Sequence, residues 1–387
     1  MKLESLPTEF NEARPILEKI HQAGFEAYFV GGSVRDALLK RPIHDVDIAT
    51  SAYPAEIKQI FKRTIDVGIE HGTVLVLAEG AQYEVTTFRS ESKYTDFRRP
   101  DKVEFVSDLT EDLLRRDFTI NAFAMLADGE IIDRFDGLSD LENRTLRAVG
   151  KAEERFNEDA LRVMRGLRFA AELDFTIEEA TLAAMASHAF LLEKISIERI
   201  FTELDRLLVA ENWRKGLLYL NETEVWRYLP GFEKVDASGL IERFSFKCSA
   251  QAWAWLMLQF PHFDLKSWKV SNDFSKLVMN IVSAYREDVW DLEKIYSYGL
   301  DVAELADDLK TGEGVKLDLL LPTLLDKRLQ IHDKSEIVVK GADLLALGFQ
   351  PGPGLGLVLS QIENEIVNNK LLNNKKEILD YVKKLSC

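Results

Sequence analysis

The sequence predicts an α/β head followed by an all-α remainder, and three observations carry that reading. A strand, a Gly-Gly turn and a helix start follow one another across residues 27–39. Further β-branched and aromatic runs, at residues 71–77 and 82–88, have the composition of a strand pair. At Gly150 the character changes, and from Lys151 onward apolar residues recur at helical spacing. A chain of 387 residues is long enough for more than one core, and 46% apolar with 29% charged residues is an ordinary globular composition.

In chain order, residues 10–24 form an amphipathic helix with Ile16, Leu17 and Ile20 on its apolar face and Gly24 at its end. The apolar run at residues 27–30 is a buried strand. It breaks at Gly31-Gly32, and residues 33–39 open a helix, so backbone N–H groups and a positive dipole end face a place where a phosphate can sit. Arg35 adds a forked cation. Residues 45–49 then alternate, which sends the side chains of Asp45 and Asp47 to one face and Val46 and Ile48 to the other. Two adjacent carboxylates repel, and Mg²⁺, which takes one or two carboxylates plus substrate phosphates, is the usual remedy. A Gly-Gly turn is common in any fold, and so is an Asp-x-Asp pair. Within one strand–helix–strand unit they point together to nucleotidyl transfer.

Gly31-Gly32-x-x-Arg35-Asp36 with Asp45-x-Asp47 resembles the head of the polymerase-beta-like nucleotidyltransferases, specifically the class II tRNA nucleotidyltransferases, or CCA-adding enzymes, of Bacillus type. The resemblance implies a nucleotidyltransferase head with a small mixed β-sheet at residues 1–149. A helical neck with the nucleotide-templating segment (150–209), a helical body (210–305) and a tRNA-binding helical tail (306–387) follow. It covers the first 175 residues closely and the rest in architecture only. It implies CTP and ATP as substrates, Mg²⁺ as cofactor, tRNA as partner through its 3′ end and upper arm, and a homodimer in some members. Asp45 and Asp47 would be both catalytic and metal-binding, while Gly32, Arg35 and Arg116 would hold phosphates and sugar.

A short helix is expected at residues 54–61. Glu84 lies in the second strand of the hairpin joined through Gly80; a carboxylate there is either a third metal or base group or simply faces water, and it stays outside the expected site. Residues 90–102 are polar and aperiodic, a loop between strands. By resemblance the loop sits where CCA-adding enzymes carry a flexible segment needed for the final A, and CC-adding relatives lack most of it. Arg115-Arg116-Asp117-Phe118-Thr119 is a solvated charge cluster on composition alone; in the family it folds back on the head, with the arginine at position 116 contacting the nucleotide. Residues 131–137 complete the head as its last strand and turn.

In the neck, Asp159 and Arg162 stand at i and i+3, neighbours on a helix whose plainest use is a surface ion pair. The same two groups suit a base that offers an exocyclic amino donor beside a ring-nitrogen acceptor, as cytosine and adenine do and guanine and uracil do not. Glu158-Asp159-x-x-Arg162 resembles the Glu-Asp-x-x-Arg motif with which class II enzymes read the base, and Arg165 and Arg168 match family positions that also touch the nucleotide. Three-residue steps drift about 60° each on an α-helix, so Arg168 is expected half a turn from Asp159. Gly166 weakens that helix. Its expected use is to ease adjustment between C and A, with Gly166→Ala raising the melting temperature and slowing A addition.

Beyond the neck, Trp226, Trp253 and Trp255 belong to apolar stretches better suited to core packing than to base stacking. The glycine run at residues 348–356 is interrupted by Pro351 and Pro353 and follows no strand, which excludes a dinucleotide fingerprint; it is a turn before a final helix at residues 357–369. Lys370, Lys375, Lys376, Lys383 and Lys384 are either solvated or a phosphate-contacting patch.

The net charge is −16, from 49 basic against 65 acidic residues, so any RNA contact must come from local basic patches and be salt-sensitive. No apolar run reaches the length of a membrane span, the start Met1-Lys2-Leu3-Glu4-Ser5 lacks a signal-peptide pattern, and Cys248 and Cys387 form no framework; the cytoplasm and no membrane partner are expected. The rivals are an A-adding, CC-adding or poly(A)-synthesising relative, or an RNA-binding protein with a degenerate head. The acidic chain counts against poly(A) synthesis, the loop at 90–102 against CC-only addition, and the intact Asp45 and Asp47 against a degenerate head.

Overall fold

The computed structural model describes residues 1–68, 71–78, 80–92, 102–260 and 262–385. The chain divides into two units, Met1–Val235 and Asp236–Cys387. The expected loop at 90–102 falls largely on residues 93–101, and Cys387 on the last two, all outside the described residues.

The first unit opens with α1 (Thr8–Gln22), β1 (Ala27–Val30), α2 (Gly32–Leu38), β2 (Asp47–Thr50) and α3 (Pro54–Ile60). Strand β3 (Thr64–Gly68) precedes the hairpin β4 (Thr73–Ala78) and β5 (Ala81–Thr87), which turns through Gly80 at φ 85°. A second, two-stranded ribbon, β6 (Arg89–Ser92) with β7 (Lys102–Phe105), leads to α4 (Leu109–Leu114). Then come β8 (Phe123–Met125), β9 (Ile131–Asp133) and α5 (Gly137–Glu142). Seven strands form one mixed sheet in the order β3-β4-β5-β2-β1-β8-β9. All its pairs are antiparallel except β2 with β5.

Strand alternation explains how the sheet is covered. Phe29 meets Phe10 of α1, ring centroids 4.9 Å apart. Its neighbour Val30 points the other way, into a cluster with Ala49, Phe88 and the α4 residues Leu109 and Leu113. Burying the phenylalanine, leucine and valine side chains among these contributes about 1.5–3 kcal/mol each.

The helical neck is tied to the head by a parallel two-residue pairing of β10 (Thr145–Leu146) with β11 (Thr176–Ile177), a strand contact beyond Gly150 that periodicity did not anticipate. Between them run α6 (Ala152–Glu158) and α7 (Leu161–Leu173); α8 (Glu179–His188), α9 (Ile197–Leu208) and α10 (Trp213–Glu222) follow. The second unit is helical: α11 (Ser249–Gln259), α12 (Asn272–Tyr285), α13 (Leu292–Tyr298), α14 (Leu300–Gly312), α15 (Leu321–Asp326), α16 (Gly341–Ala346), α17 (Pro353–Val367) and α18 (Lys375–Leu385). Trp253 and Trp255 are buried, as the core reading expected. Helix α17 starts at Pro353 rather than residue 357, with proline at its first position, and α18 is a further helix after it. Among the described residues, no helix is long and apolar enough to cross a membrane.

Gly166 has a packing role. A methyl there would lie 3.0 Å from Met185 Cε and 3.1 Å from the Phe118 ring, so glycine lets α7 sit close to its neighbours. The helix-propensity gain of about 1 kcal/mol from alanine is offset by an overpacking cost of about 1–3 kcal/mol. Gly166→Ala is therefore expected to lower the melting temperature, by up to about 2 kcal/mol in stability. That reverses the expectation drawn from helix propensity alone; a higher midpoint in thermal denaturation would refute the packing account.

Candidate active site

Strand β1 ends at Val30, opposite Asp47, the first residue of β2. Gly31 then turns the chain with φ 75° and ψ −139° into α2. That backbone favours glycine, and so does the space: a Cβ at residue 31 would lie 2.9 Å from Arg116 Nη1 and 3.8 Å from Asp47 Oδ2. The Gly31 N–H donates to the Phe123 carbonyl at 3.3 Å, so this amide anchors the turn. Arg35 is buried and held in place: its Nε and Nη2 donate to the Asp36 carboxylate at 2.9 Å each, and its Nη1 donates to Asn121 Oδ1 at 2.6 Å.

Asp45 lies before β2, in an irregular exposed segment, so the alternating strand expected from residue 45 starts two residues later. Beyond the Val30–Asp47 pair, β1 has already turned at Gly31 and offers no partner. The parallel pairing of Ile48 with Val85 sets Asp47 beside Glu84 across the two strands. Partial desolvation, followed by the charges of Asp47 and Asp45, raises the pKa of the exposed Glu84. Asp47, exposed at the strand's start but set in the cavity wall, is raised too, by partial desolvation first and by Asp45, with Arg116 opposing. Among the described residues, none of the three carboxylates has a hydrogen bond or ion pair, and no group of three or more His, Cys, Asp or Glu side chains is gathered into a metal cage. Hard oxygen donors that repel one another and keep open valences fit Mg²⁺ shared with substrate phosphates. Glu84 was left out of the expected site; its signal, a carboxylate in a β-branched strand, acquires meaning only through the β2–β5 pairing.

Across from these carboxylates, the neck supplies guanidinium groups. Asp159 is outside the helix, extended at φ −132° and ψ 103° between α6 and α7, so the expected i, i+3 pair with Arg162 does not form. Its Oδ1 accepts from the Leu161 N–H at 3.0 Å, a local bond that competes with helix continuation. Its Oδ2 accepts from Arg199 Nη2 at 2.9 Å. Arg162 pairs instead with Glu158 at 2.7 Å and donates to the carbonyls of Arg155 and Arg115 at 3.0 and 2.6 Å.

Arg165 donates to Asp117 at 2.8 Å through Nε, and Arg168 to Glu203 at 2.5 Å and Glu172 at 2.6 Å. Both guanidiniums stack on Phe169, 5.3 and 4.1 Å from its ring centroid, with Arg35 at 5.1 Å. Arg168 thus reaches the site despite its helical phase, because Phe169 and the two carboxylates hold it there. Burial alone would push Asp117 up, but the charge of Arg165 and hydrogen bonds from Asn121 and Arg165 more than offset it and hold it well below the usual carboxylate range. Asp117, Asn121, Phe169, Arg199, Glu203 and Arg206 all escaped the expected site. For the last part of that set a signal existed: Arg199, Glu203 and Arg206 recur at i, i+4 and i+7 on α9, a polar stripe beside the apolar Ile200, Leu204 and Leu207.

Many of these groups line one cavity of about 590 Å³, and Glu84 lines a neighbouring one that shares Asp47 and Arg116 with it. Gly32, Arg35, Asp47, Arg116, Asp159, Arg162, Arg165 and Arg168 all line the larger, and Asp45 alone of the expected residues does not. Nine arginines against three aspartates make the lining basic within a chain of net charge −16, which suits a polyanion such as a nucleoside triphosphate.

Residues 27–147 match the family model described as the Poly A polymerase head domain, and residues 244–382 that of tRNA nucleotidyltransferase domain 2. The CCA-adding enzyme of Lactococcus lactis subsp. cremoris (strain MG1363) is 58% identical, over 100% of this chain and 99% of that protein. The chain belongs to the CCA-adding enzymes. A CCA-adding enzyme from Streptococcus thermophilus (strain CNRZ 1066) is 56% identical over 99% of this chain and 98% of its own length. Among solved structures, the Bacillus stearothermophilus CCA-adding enzyme in complex with CTP superposes with a TM-score of 0.87 at 36% identity, covering 98% of each chain.

For this CCA-adding enzyme, the raised pKa of Asp47 gives a signed stability prediction. A carboxyl raised in the folded state favours the protonated form there, so its ionisation destabilises the fold as pH rises from about 4 through the raised value. In chelator, Asp47→Asn is therefore expected to melt above the unsubstituted protein at pH 7, with the difference closing as pH falls toward 4. Added Mg²⁺ should raise the melting temperature of the unsubstituted protein and much less that of Asp47→Asn. Equal melting curves at pH 7 in chelator would show that the ionised Asp47 carboxylate costs the fold nothing at this position.

Proposed function

We propose that the chain adds and repairs the 3′-terminal CCA of tRNA, taking CMP from CTP and AMP from ATP, with its own side chains in place of a nucleic-acid template. The observation that carries this reading is the single basic cavity in which Asp47, the Gly31-Gly32 turn and the pair Asp159 and Arg162 meet. Family membership at 52–58% identity over the chain's length supports it.

In the proposed reaction the tRNA 3′-oxygen attacks the α-phosphorus, a new O–P bond forms, the bond to the β-phosphate oxygen breaks, and pyrophosphate leaves. Asp45 and Asp47, with Glu84 beside them, would hold Mg²⁺, which when bound supplies charge neutralisation on the phosphates and a lowered pKa for the attacking hydroxyl. Gly32 lets the backbone approach the phosphates, and Arg35 and Arg116 bind phosphate and sugar oxygens. Asp159 accepts from the exocyclic amino group of C or A, Arg162 donates to the ring nitrogen, and Arg165 and Arg168 close the pocket over the base. We assign catalysis to residues 1–149, base reading to 150–209, and the hold on the tRNA upper arm to the body (210–305) and tail (306–387). A match of residues 174–235 to the RNA-binding site of polymerase A and of 244–382 to the tRNA nucleotidyltransferase model supports an RNA-holding role for the helical part of the chain. We place the reaction in the cytoplasm, with mass measurement in solution as the test of the homodimer that the resemblance implies.

The test is to offer CTP, ATP or both to tRNA lacking its end and to sequence the products. CCA with both nucleotides is expected; a stop at CC, a long A tail or no incorporation would each select a different reading. Asp159→Asn places an amide donor where the carboxylate was. It is expected to lower kcat/KM for CTP and ATP by about 10- to 100-fold and to narrow the margin over UTP. An unchanged CTP-to-UTP ratio would remove Asp159 from the base-reading role.

A further inference from the structure

Asp112, on α4, lies outside the cavity lining and outside every motif that pointed to the site, yet it is completely buried. At the sequence level it is an i, i+3 and i, i+4 neighbour of Arg115 and Arg116, a spacing that on a surface would contribute a few tenths of a kcal/mol. Burial changes its weight, because a buried carboxylate must have its charge matched by donors. Its Oδ1 accepts from Arg115 Nε and Nη2 at 3.0 and 2.8 Å and from the backbone N–H of Arg89 at 3.3 Å. Its Oδ2 accepts from Arg116 Nη2 at 3.3 Å.

Arg116 is held by little else. Its Nε is buried without a hydrogen-bond partner among the described residues, and its Nη1 fills the space above Gly31. The guanidinium thus spans from the Asp112 carboxylate to the turn and carboxylate of the nucleotide cavity, where its charge acts on Asp47. We infer that Asp112 is a positioning residue, whose carboxylate fixes Arg116 at the angle needed to receive the triphosphate and, through the Arg89 amide, ties the start of β6 to the same point. The inference rests on the reading of Arg116 as a nucleotide ligand.

Asp112→Asn separates the two oxygens. Its remaining carbonyl is claimed by Arg115 and the Arg89 amide, so its NH₂ group turns toward Arg116, donor against donor. The experiment is a double-mutant cycle in steady-state nucleotide addition, with Asp112→Asn, Arg116→Ala and both together. Asp112→Asn is expected to raise KM for both CTP and ATP about tenfold with a smaller change in kcat, and to add almost nothing once Arg116 is alanine. Independent, multiplying losses would overturn the positioning role while leaving Arg116 a ligand. An unchanged KM in Arg116→Ala alone would overturn the reading of Arg116, and the inference with it. If Asp112→Asn does not fold, Asp112→Glu keeps the charge and shifts it by one methylene. The same KM-dominated loss, absent on the Arg116→Ala background, is expected from it, and an unaltered KM would count against Asp112.

Discussion

Asp47 stands opposite Val30 because β1 and β2 pair antiparallel in that register, and the geometry of the cavity is measured from this pair. One residue beyond Val30 the chain turns at Gly31, so the carboxylate and the turn arrive side by side without any long connection. On its other edge β2 runs parallel to β5, which delivers Glu84 to the same corner. A slip of one residue between β1 and β2 would turn Ile48 into the cavity and Asp47 into the core. Phe29 against Phe10 on one face, and Val30 with Ala49 against α4 on the other, make that slip costly. The carboxylate corner is therefore fixed by ordinary core packing, and its carboxylates can remain mutually repelling.

The opposite wall solves a different electrostatic problem. Arginines that merely floated in solvent would lose side-chain entropy each time a triphosphate bound. Here Arg35, Arg162, Arg165 and Arg168 are already braced, by Asp36 and Asn121, Glu158, Asp117, and Glu203 with Glu172. Phe169 carries three of them on its ring. The bracing carboxylates reduce the attraction for an anion, and the surplus of arginines in the lining leaves it basic nonetheless. Such preorganised charge serves a phosphoryl transfer, in which positioning and electrostatics supply most of the rate.

What was legible in the sequence was whatever depends on neighbours along the chain. The Gly31-Gly32 turn, the helix bearing Arg35, the hairpin through Gly80 and the change to helices after Gly150 are local patterns, and each is where it was expected. The family resemblance rested on the same short stretches. Pairings between distant residues were hidden: Glu84 with Asp47, Asp117 with Arg165, and Glu203 with Arg168 join residues 35 to 48 positions apart. Gly166 shows a third case: the local rule counts only helix propensity, whereas a methyl there would also meet Met185 and Phe118 at 3.0–3.1 Å, a contact no local pattern reveals. Asp159 shows a fourth. Its side chain takes the Leu161 amide for itself, and the helix that periodicity draws straight through residues 158–162 is broken there.

In the base-reading role proposed for Asp159 and Arg162, that break bears on how a protein can act as a template. Had Asp159 and Arg162 formed the mutual ion pair their spacing suggests, an incoming base would have had to separate them and lose that interaction on binding. Each is instead satisfied elsewhere. Asp159 uses one acceptor site on each oxygen, for Leu161 and Arg199, and a carboxylate offers about four. Arg162 spends three of its five N–H groups on Glu158 and two carbonyls. Spare acceptor and spare donor thus stand on either side of a helix break, held from behind and unpaired with each other. A base with an amino group beside a ring nitrogen can satisfy both, whereas one with a carbonyl there meets an acceptor it cannot bond.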